Sequence, residues 1–163
     1  EEVAGMAWSE ISPDRDVWMI PAERTKNSKP HLVPLSDAAR AVLPVRPDGA
    51  TGLIFPGQRE GKPFAGWSKC KADLDKSAGV TSWRIHDLRR TMATGLQRLG
   101  VRFEVTEAVL NHISGSRAGI VGIYQRHDWK DEKRAALDAW ATHLRRALDG
   151  KTAADNVVAL HAA

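Results

Sequence analysis

The sequence predicts an α+β fold that is mostly helical, with a small antiparallel sheet near the N-terminus. Three observations predict it. Short runs rich in β-formers, separated by polar and proline turns, fill the first third of the chain. From Phe64 onward, apolar residues recur at helical spacing. No internal repeat, heptad array or low-complexity segment interrupts the pattern.

In order, Glu1 to Met6 reads as a helix end closed near Gly5. Trp8 to Ile11 and Val17 to Ile20 read as two antiparallel strands, with Pro13 and Asp14 turning the chain between them. Thr25 to Pro30 is a second turn, and His31 to Leu35 a third strand that Pro34 confines to an edge or an end. Lys26 therefore stands at or near a hairpin tip. Ser36 is a good N-cap for a short helix over Asp37 to Leu43. Pro44 to Gly52 is a loop, Leu53 to Pro56 a brief apolar return, and Gly57 to Pro63 a basic loop. Phe64 to Ala78 reads as a helix with Trp67, Cys70 and Leu74 on one stripe, stopped by Gly79. Ile85 to Leu99 is the central helix, with Leu88, Met92, Gly95, Leu96 and Leu99 at helical spacing and Gly100 as its stop. Phe103 to Leu110 is a further helix, followed by a turn through Asn111, His112, Ser114 and Gly115. Ser116 is placed to cap a helix through Ile120, Ile123 and Tyr124. Asp128 is placed to cap the last one, Trp129 to Leu148, whose stripe is Trp129, Ala136, Leu137, Trp140, Leu144 and Leu148. Its acidic start and basic end suit the helix dipole. Residues 149–163 read as a small-residue tail after a domain over 1–148.

Composition narrows the function. A chain of 163 residues can form one domain with its own core. A hydrophobic share of 42% is ordinary for a soluble protein, and no apolar run reaches the ~20 residues of a membrane span. No membrane partner is expected. The N-terminus lacks the basic start and apolar stretch of a signal peptide, and it lacks an initiator Met, so a segment of a larger protein is expected. Cys70 is the only cysteine, which precludes an intrachain disulfide and fits a reducing cytoplasm. The net charge of +4 permits a polyanionic partner without requiring one.

The stretch Trp83 to Thr94 holds the chemistry. His86 and Arg89 lie three residues apart and share one helical face. A guanidinium fork can grip a phosphate through two parallel hydrogen bonds, and an imidazole can exchange a proton near neutral pH. Such a pair also arises by chance in long helices, so its weight depends on its surroundings. Those are Lys26 on a hairpin turn, His112 in a turn between helices, and Tyr124 twelve residues later. Tyr124 is the single tyrosine in the chain.

This ordered set resembles the catalytic domain of the tyrosine recombinases, the phage and prophage integrases that cut and rejoin DNA. The matching pieces are Thr25-Lys26-Asn27 with His31-Leu32-Val33-Pro34-Leu35, then His86-Asp87-Leu88-Arg89-Arg90-Thr91, Leu110-Asn111-His112 and Tyr124-Gln125-Arg126. Ser114 to Arg126, with the Ala-Trp-Ala around Trp140, is most similar to prophage-type integrases. The resemblance implies roles. Tyr124 would attack the scissile phosphate and form a 3′-phosphotyrosyl bond. Arg89 would stabilise the charge on the phosphate, His86 would assist proton removal, and His112 would donate a hydrogen bond. Lys26 would protonate the departing 5′-oxygen, with Lys29 a nearby competitor. Arg90, Lys29 and Arg117 would contact the DNA backbone. The substrate would be duplex DNA at attachment sites, held by a homotetramer in a bacterial cytoplasm, at the nucleoid. No cofactor is implied, and no metal.

The family also carries a first catalytic arginine in an Arg-x-x-Glu or Arg-x-x-Asp box. Glu2-Val3 matches the end of that box, which would put the arginine just before residue 1, while Arg15 and Arg24 stand in contexts that do not match. Residues 1–163 alone are therefore expected to be inactive. The absence of a Walker loop, a His-Glu-x-x-His and a paired acid cluster argues against a metal-dependent transposase. Two alternatives stay open: a DNA-binding or assembly module without cleavage, and a nicking-closing enzyme like the type IB topoisomerases.

Overall fold

The computed structural model describes residues 2–112 and 129–150. Its sheet has two antiparallel strands, β1 (Val17–Ile20) and β2 (His31–Pro34), in a register that pairs Trp18 with Val33 and Ile20 with His31. Alternation along β1 turns Trp18 and Ile20 inward and leaves Met19 exposed. These two join Met6, Trp8, Ile11, Leu35 and Ile54 in a first hydrophobic core.

The expected strand over Trp8 to Ile11 is instead a single 3-10 turn, Trp8–Glu10. The Glu10 carboxylate explains the change. It accepts from the Ala7 N–H at 3.3 Å and from Trp18 Nε1 at 2.9 Å, which folds the chain back on itself. Only isolated bridges survive, Ala7 to Leu53 and Ile11 to Trp18. Residues 2–5 form hydrogen-bonded turns rather than a helix end.

Helix α1 (Asp37–Val42) starts where expected, with Ser36 Oγ accepting from the Ala39 N–H at 3.3 Å. Helix α2 (Trp67–Ala78) begins three residues later than Phe64. The Phe64 N–H is already given to the Phe55 carbonyl at 3.1 Å, beside a bridge between Pro56 and Pro63. The expected α2 stripe is not buried among the described residues: Trp67, Cys70 and Leu74 are all exposed.

Helix α3 (Ile85–Arg98) ends before Gly100, whose φ of +79° only glycine adopts easily. Its expected stripe is half right. Leu96 is fully buried and Met92 packs beside it, while Leu88 and Leu99 are exposed. Helix α4 (Phe103–Val109) follows, then α5 (Lys130–Leu148). Trp129 occupies the position before α5 in a left-handed conformation; Asp128, the expected cap, lies outside the described residues. Leu96, Val105 and Ala136 form a second core, with Met92, Val109, Trp129 and Trp140 packed on it. The last part of the α5 stripe is free, with Leu144 and Leu148 exposed.

The two cores are joined by polar contacts. The buried Lys133 of α5 donates to the Leu32 carbonyl of β2 at 2.7 Å, and Arg134 reaches Asp16 at 2.9 Å.

Candidate active site

The hairpin between β1 and β2 carries Lys26. Its tip is closed by the buried Thr25. The hydroxyl lies 2.7 Å from the Lys29 carbonyl and accepts from the Lys29 N–H at 3.1 Å. This leaves the Lys26 and Lys29 side chains exposed, with no hydrogen-bond or ion-pair partner among the described residues. Asn27, between them, is half-buried. Its Nδ2 donates to Asn111 Oδ1 at 2.8 Å and to the Asn111 carbonyl at 3.3 Å. His31 Nε2 lies 3.3 Å from the Val109 carbonyl. The hairpin is thus docked on the C-terminal end of α4.

Helix α3 brings its residues to the same place. Asp87 fixes the start of the helix by accepting from the Arg84 N–H at 2.9 Å. That bond, together with Arg90, holds the Asp87 carboxyl below the usual carboxylate range against a smaller effect of burial. Arg90 points to solvent, tied to Asp87 at 3.2 Å. Arg89 is half-buried and donates to the Leu110 carbonyl at the end of α4. His86 is exposed one turn earlier, without a partner among the described residues.

The turn after α4 supplies the third part. Asn111 sits at φ +54°, in the left-handed region that Asn tolerates better than most residues. It sends His112 back over the helix. The His112 N–H donates to the Glu107 carbonyl at 3.0 Å, and Nδ1 lies 3.1 Å from Glu107 Oε1. With Nδ1–H given to Glu107, Nε2 is the atom left for a ligand, and it donates when the ring carries both protons.

The structure therefore gathers the Lys26 hairpin, Arg89 and His112 around residues 110–112. It places His86 on the helix of Arg89. Tyr124 and Arg117 lie outside the described residues. Arg15 and Arg24 are held elsewhere. Arg15 donates to the Leu43 and Pro44 carbonyls at 3.3 and 3.1 Å and stacks over Trp8. Arg24 is paired with Glu10 and bonded to the Glu2 carbonyl. Both are occupied in holding the first core together.

Sequence reasoning missed Asn27, Asn111 and Glu107 as members of the site. Asn27 and Asn111 stand inside matched pieces without a role of their own, and nothing local pairs positions 84 apart. Glu107 stands five residues before His112, outside the usual helical pair spacing, and reaches it only because the chain reverses at Asn111. Chemically, a half-buried guanidinium on the same turn that anchors a hairpin with two exposed lysines suits an anionic ligand such as a phosphate. Among the described residues no cluster of three His, Cys, Asp or Glu side chains could hold a metal ion, and no helix is long and apolar enough to cross a membrane.

Comparison with known proteins finds one matching family and curated relatives. The sequence profile of the phage integrase family matches residues 1–130. Prophage integrase IntA of Escherichia coli (strain K12) is 32% identical over 152 residues, which cover 91% of this chain and 36% of that protein. Prophage integrase IntZ of the same organism is 29% identical over 147 residues, covering 88% of this chain and 35% of that protein. The chain thus spans little more than a third of the length of these curated relatives. No solved structure matches it.

Proposed function

Because the chain belongs to the phage integrase family of tyrosine recombinases, we propose that it is the catalytic part of a prophage-type integrase, residues 1–148, with 149–163 as a tail. The reaction is site-specific recombination of duplex DNA at attachment sites. Tyr124 attacks the scissile phosphorus, the bond to the 5′-oxygen breaks, and a 3′-phosphotyrosyl link conserves the bond energy. Religation then needs neither ATP nor a metal. Arg89 holds the non-bridging oxygens, and the Leu110 carbonyl fixes the direction of its fork. His112 donates from Nε2, His86 assists removal of the tyrosine proton, and Lys26 protonates the leaving oxygen. Lys29, Arg90 and Arg117 grip the flanking backbone, a contact set that makes binding fall with salt. The working assembly is a homotetramer on paired sites, in the cytoplasm at the nucleoid.

The observation that carries this reading is the convergence of the Lys26 hairpin, Arg89 and His112 on the end of α4, from three separate parts of the chain. Residues 1–163 alone are proposed not to cleave. The reaction calls for two guanidinium groups on the phosphate, and Arg15 and Arg24 are engaged elsewhere.

The test uses the full natural chain that contains this sequence and a nicked suicide duplex. Tyr124→Phe removes only the attacking oxygen. Covalent adducts should disappear while DNA binding persists. A phenylalanine variant that still forms adducts would rule out Tyr124 as the nucleophile. A wild-type chain that binds but never forms adducts would be a DNA-binding module. One that only relaxes supercoils would be a nicking-closing enzyme.

A further inference from the structure

Lys26 is exposed on a short hairpin, and nothing among the described residues holds its ammonium. A general acid must nevertheless meet one oxygen in one geometry. The strands beneath it are only four residues each. Thr25 closes the tip upon itself, which sets the shape of the turn and not its place on the molecule. Within the tip, the contact with another element is made by Asn27.

That contact is well specified. The Asn27 amide has two N–H groups, and both have acceptors on Asn111, at 2.8 and 3.3 Å. Its Oδ1 accepts from the Lys29 N–H at 3.1 Å, on the far side of the tip. One side chain thus joins the turn that bears Lys26 to the turn that bears His112, and the Leu110 carbonyl at the start of that turn binds Arg89. An aspartate could not donate to the Asn111 carbonyl, and a serine would fall short of it. We propose that Asn27 is a positioning residue for Lys26: through Asn111 it fixes the hairpin tip at the phosphate site defined by Arg89 and His112. This rests on the reading of Lys26 as general acid.

The chemistry supplies a test that separates positioning from folding. In cleavage, the Tyr124 oxygen bonds to phosphorus, the bond to the 5′-oxygen breaks, and the proton passes from the Lys26 ammonium to that oxygen. If sulfur replaces the bridging 5′-oxygen, the group departs as a stable thiolate and takes up no proton. A fault in the acid, or in its placement, is then bypassed. A fault in the fold is not.

The experiment measures single-turnover adduct formation by the full natural chain on the oxygen and the sulfur duplexes. Lys26→Ala should be slower by about 10² to 10⁴ on oxygen and close to wild type on sulfur. Asn27→Ala should be slower by about 10 to 10² on oxygen, since a displacement of about 1 Å can cost that much, and should likewise recover on sulfur. Asn111→Gly keeps the left-handed turn and the main-chain acceptor, so its loss should be smaller than that of Asn27→Ala. An Asn27→Ala variant with the wild-type rate on oxygen overturns the proposal, as does one equally slow on both duplexes. If Lys26→Ala is not rescued by sulfur, the acid is another group, Lys29 first among them. The reading of Lys26 then fails, and the role given to Asn27 fails with it.

Discussion

Gly95 shows how one residue sets the distance between two helices. It lies on the buried side of α3 where Trp140 of α5 crosses, and a Cβ added there would fall on the edge of the indole ring. Two effects oppose each other on substitution. Alanine is favoured over glycine inside a helix by about 1 kcal/mol. Overpacking a filled core costs about 1 to 3 kcal/mol. The overlap is with ring carbons that pack on the second core, beside Met92 and Leu96, so the steric cost should win. Gly95→Ala should therefore lower the urea midpoint by the equivalent of about 1 kcal/mol or more. Combining it with Trp140→Leu should cost less than the two single changes added together. A Gly95→Ala protein more stable than wild type would mean that α3 and α5 do not approach so closely. The spacing of Leu88, Met92, Gly95 and Leu96 put Gly95 on a stripe in the sequence. Its indole partner was not legible, because that contact joins two separate helices.

Elements were legible where local signals agree. Ser36 before α1, Gly79 after α2 and Gly100 after α3 mark boundaries through capping and positive φ, which depend on neighbours in the chain. Local pattern failed where a long-range bond decides. Glu10 folds Trp8–Glu10 into a turn because Trp18 and Arg24 reach it, and the apolar stripe of α2 finds no cover among the described residues. Lys133 is the clearest case. Its position among the charges of α5 suggests a solvated face, yet it is 5% exposed and donates to the Leu32 carbonyl. Its neighbour Arg134 makes an ion pair with Asp16 in which both side chains remain about a third exposed. The two anchors should differ in weight. Surface pairs contribute at most about 1 kcal/mol, whereas a buried acceptor stripped of its donor costs about 1 to 3 kcal/mol. Lys133→Ala should thus destabilise the protein clearly more than Arg134→Ala in thermal unfolding. Equal effects would mean that the Leu32 carbonyl finds another donor or that α5 is not pinned to the sheet through Lys133.

Across the whole molecule, the order Lys26, His86, Arg89, His112 could be read before any coordinates because each sits in a short motif of its own. Their meeting point could not, since it depends on Asn27 finding Asn111 and on Arg89 finding a backbone carbonyl. The hairpin that carries Lys26 stands on the first core, and Glu10 is the polar hub of that core. Its carboxylate holds Arg24, Trp18 and the Ala7 N–H, joining the N-terminal turns to the base of the hairpin. Burial alone would raise the Glu10 pKa, but the bonds from Arg24, Trp18 and Ala7 outweigh it and leave the value lowered. Asp16 is lowered as well, first by Ser12 and then by Arg134, although its exposure makes its contribution small. The sign follows from linkage. A carboxyl whose folded pKa lies below its unfolded value binds its proton first in the unfolded chain, so acid favours unfolding. The stabilisation is complete above the ordinary glutamate value of about 4.3 and is lost as pH falls through the lowered folded value. The melting temperature should therefore drop below about pH 4.5 as these groups titrate. Glu10→Gln keeps an acceptor for Trp18 and removes the charge beside Arg24. It should melt lower than wild type at pH 7 and lose less on acidification, so the two curves converge in acid. Parallel curves would show that the acid sensitivity resides in other carboxyls and that Glu10 is not the charged hub of the first core.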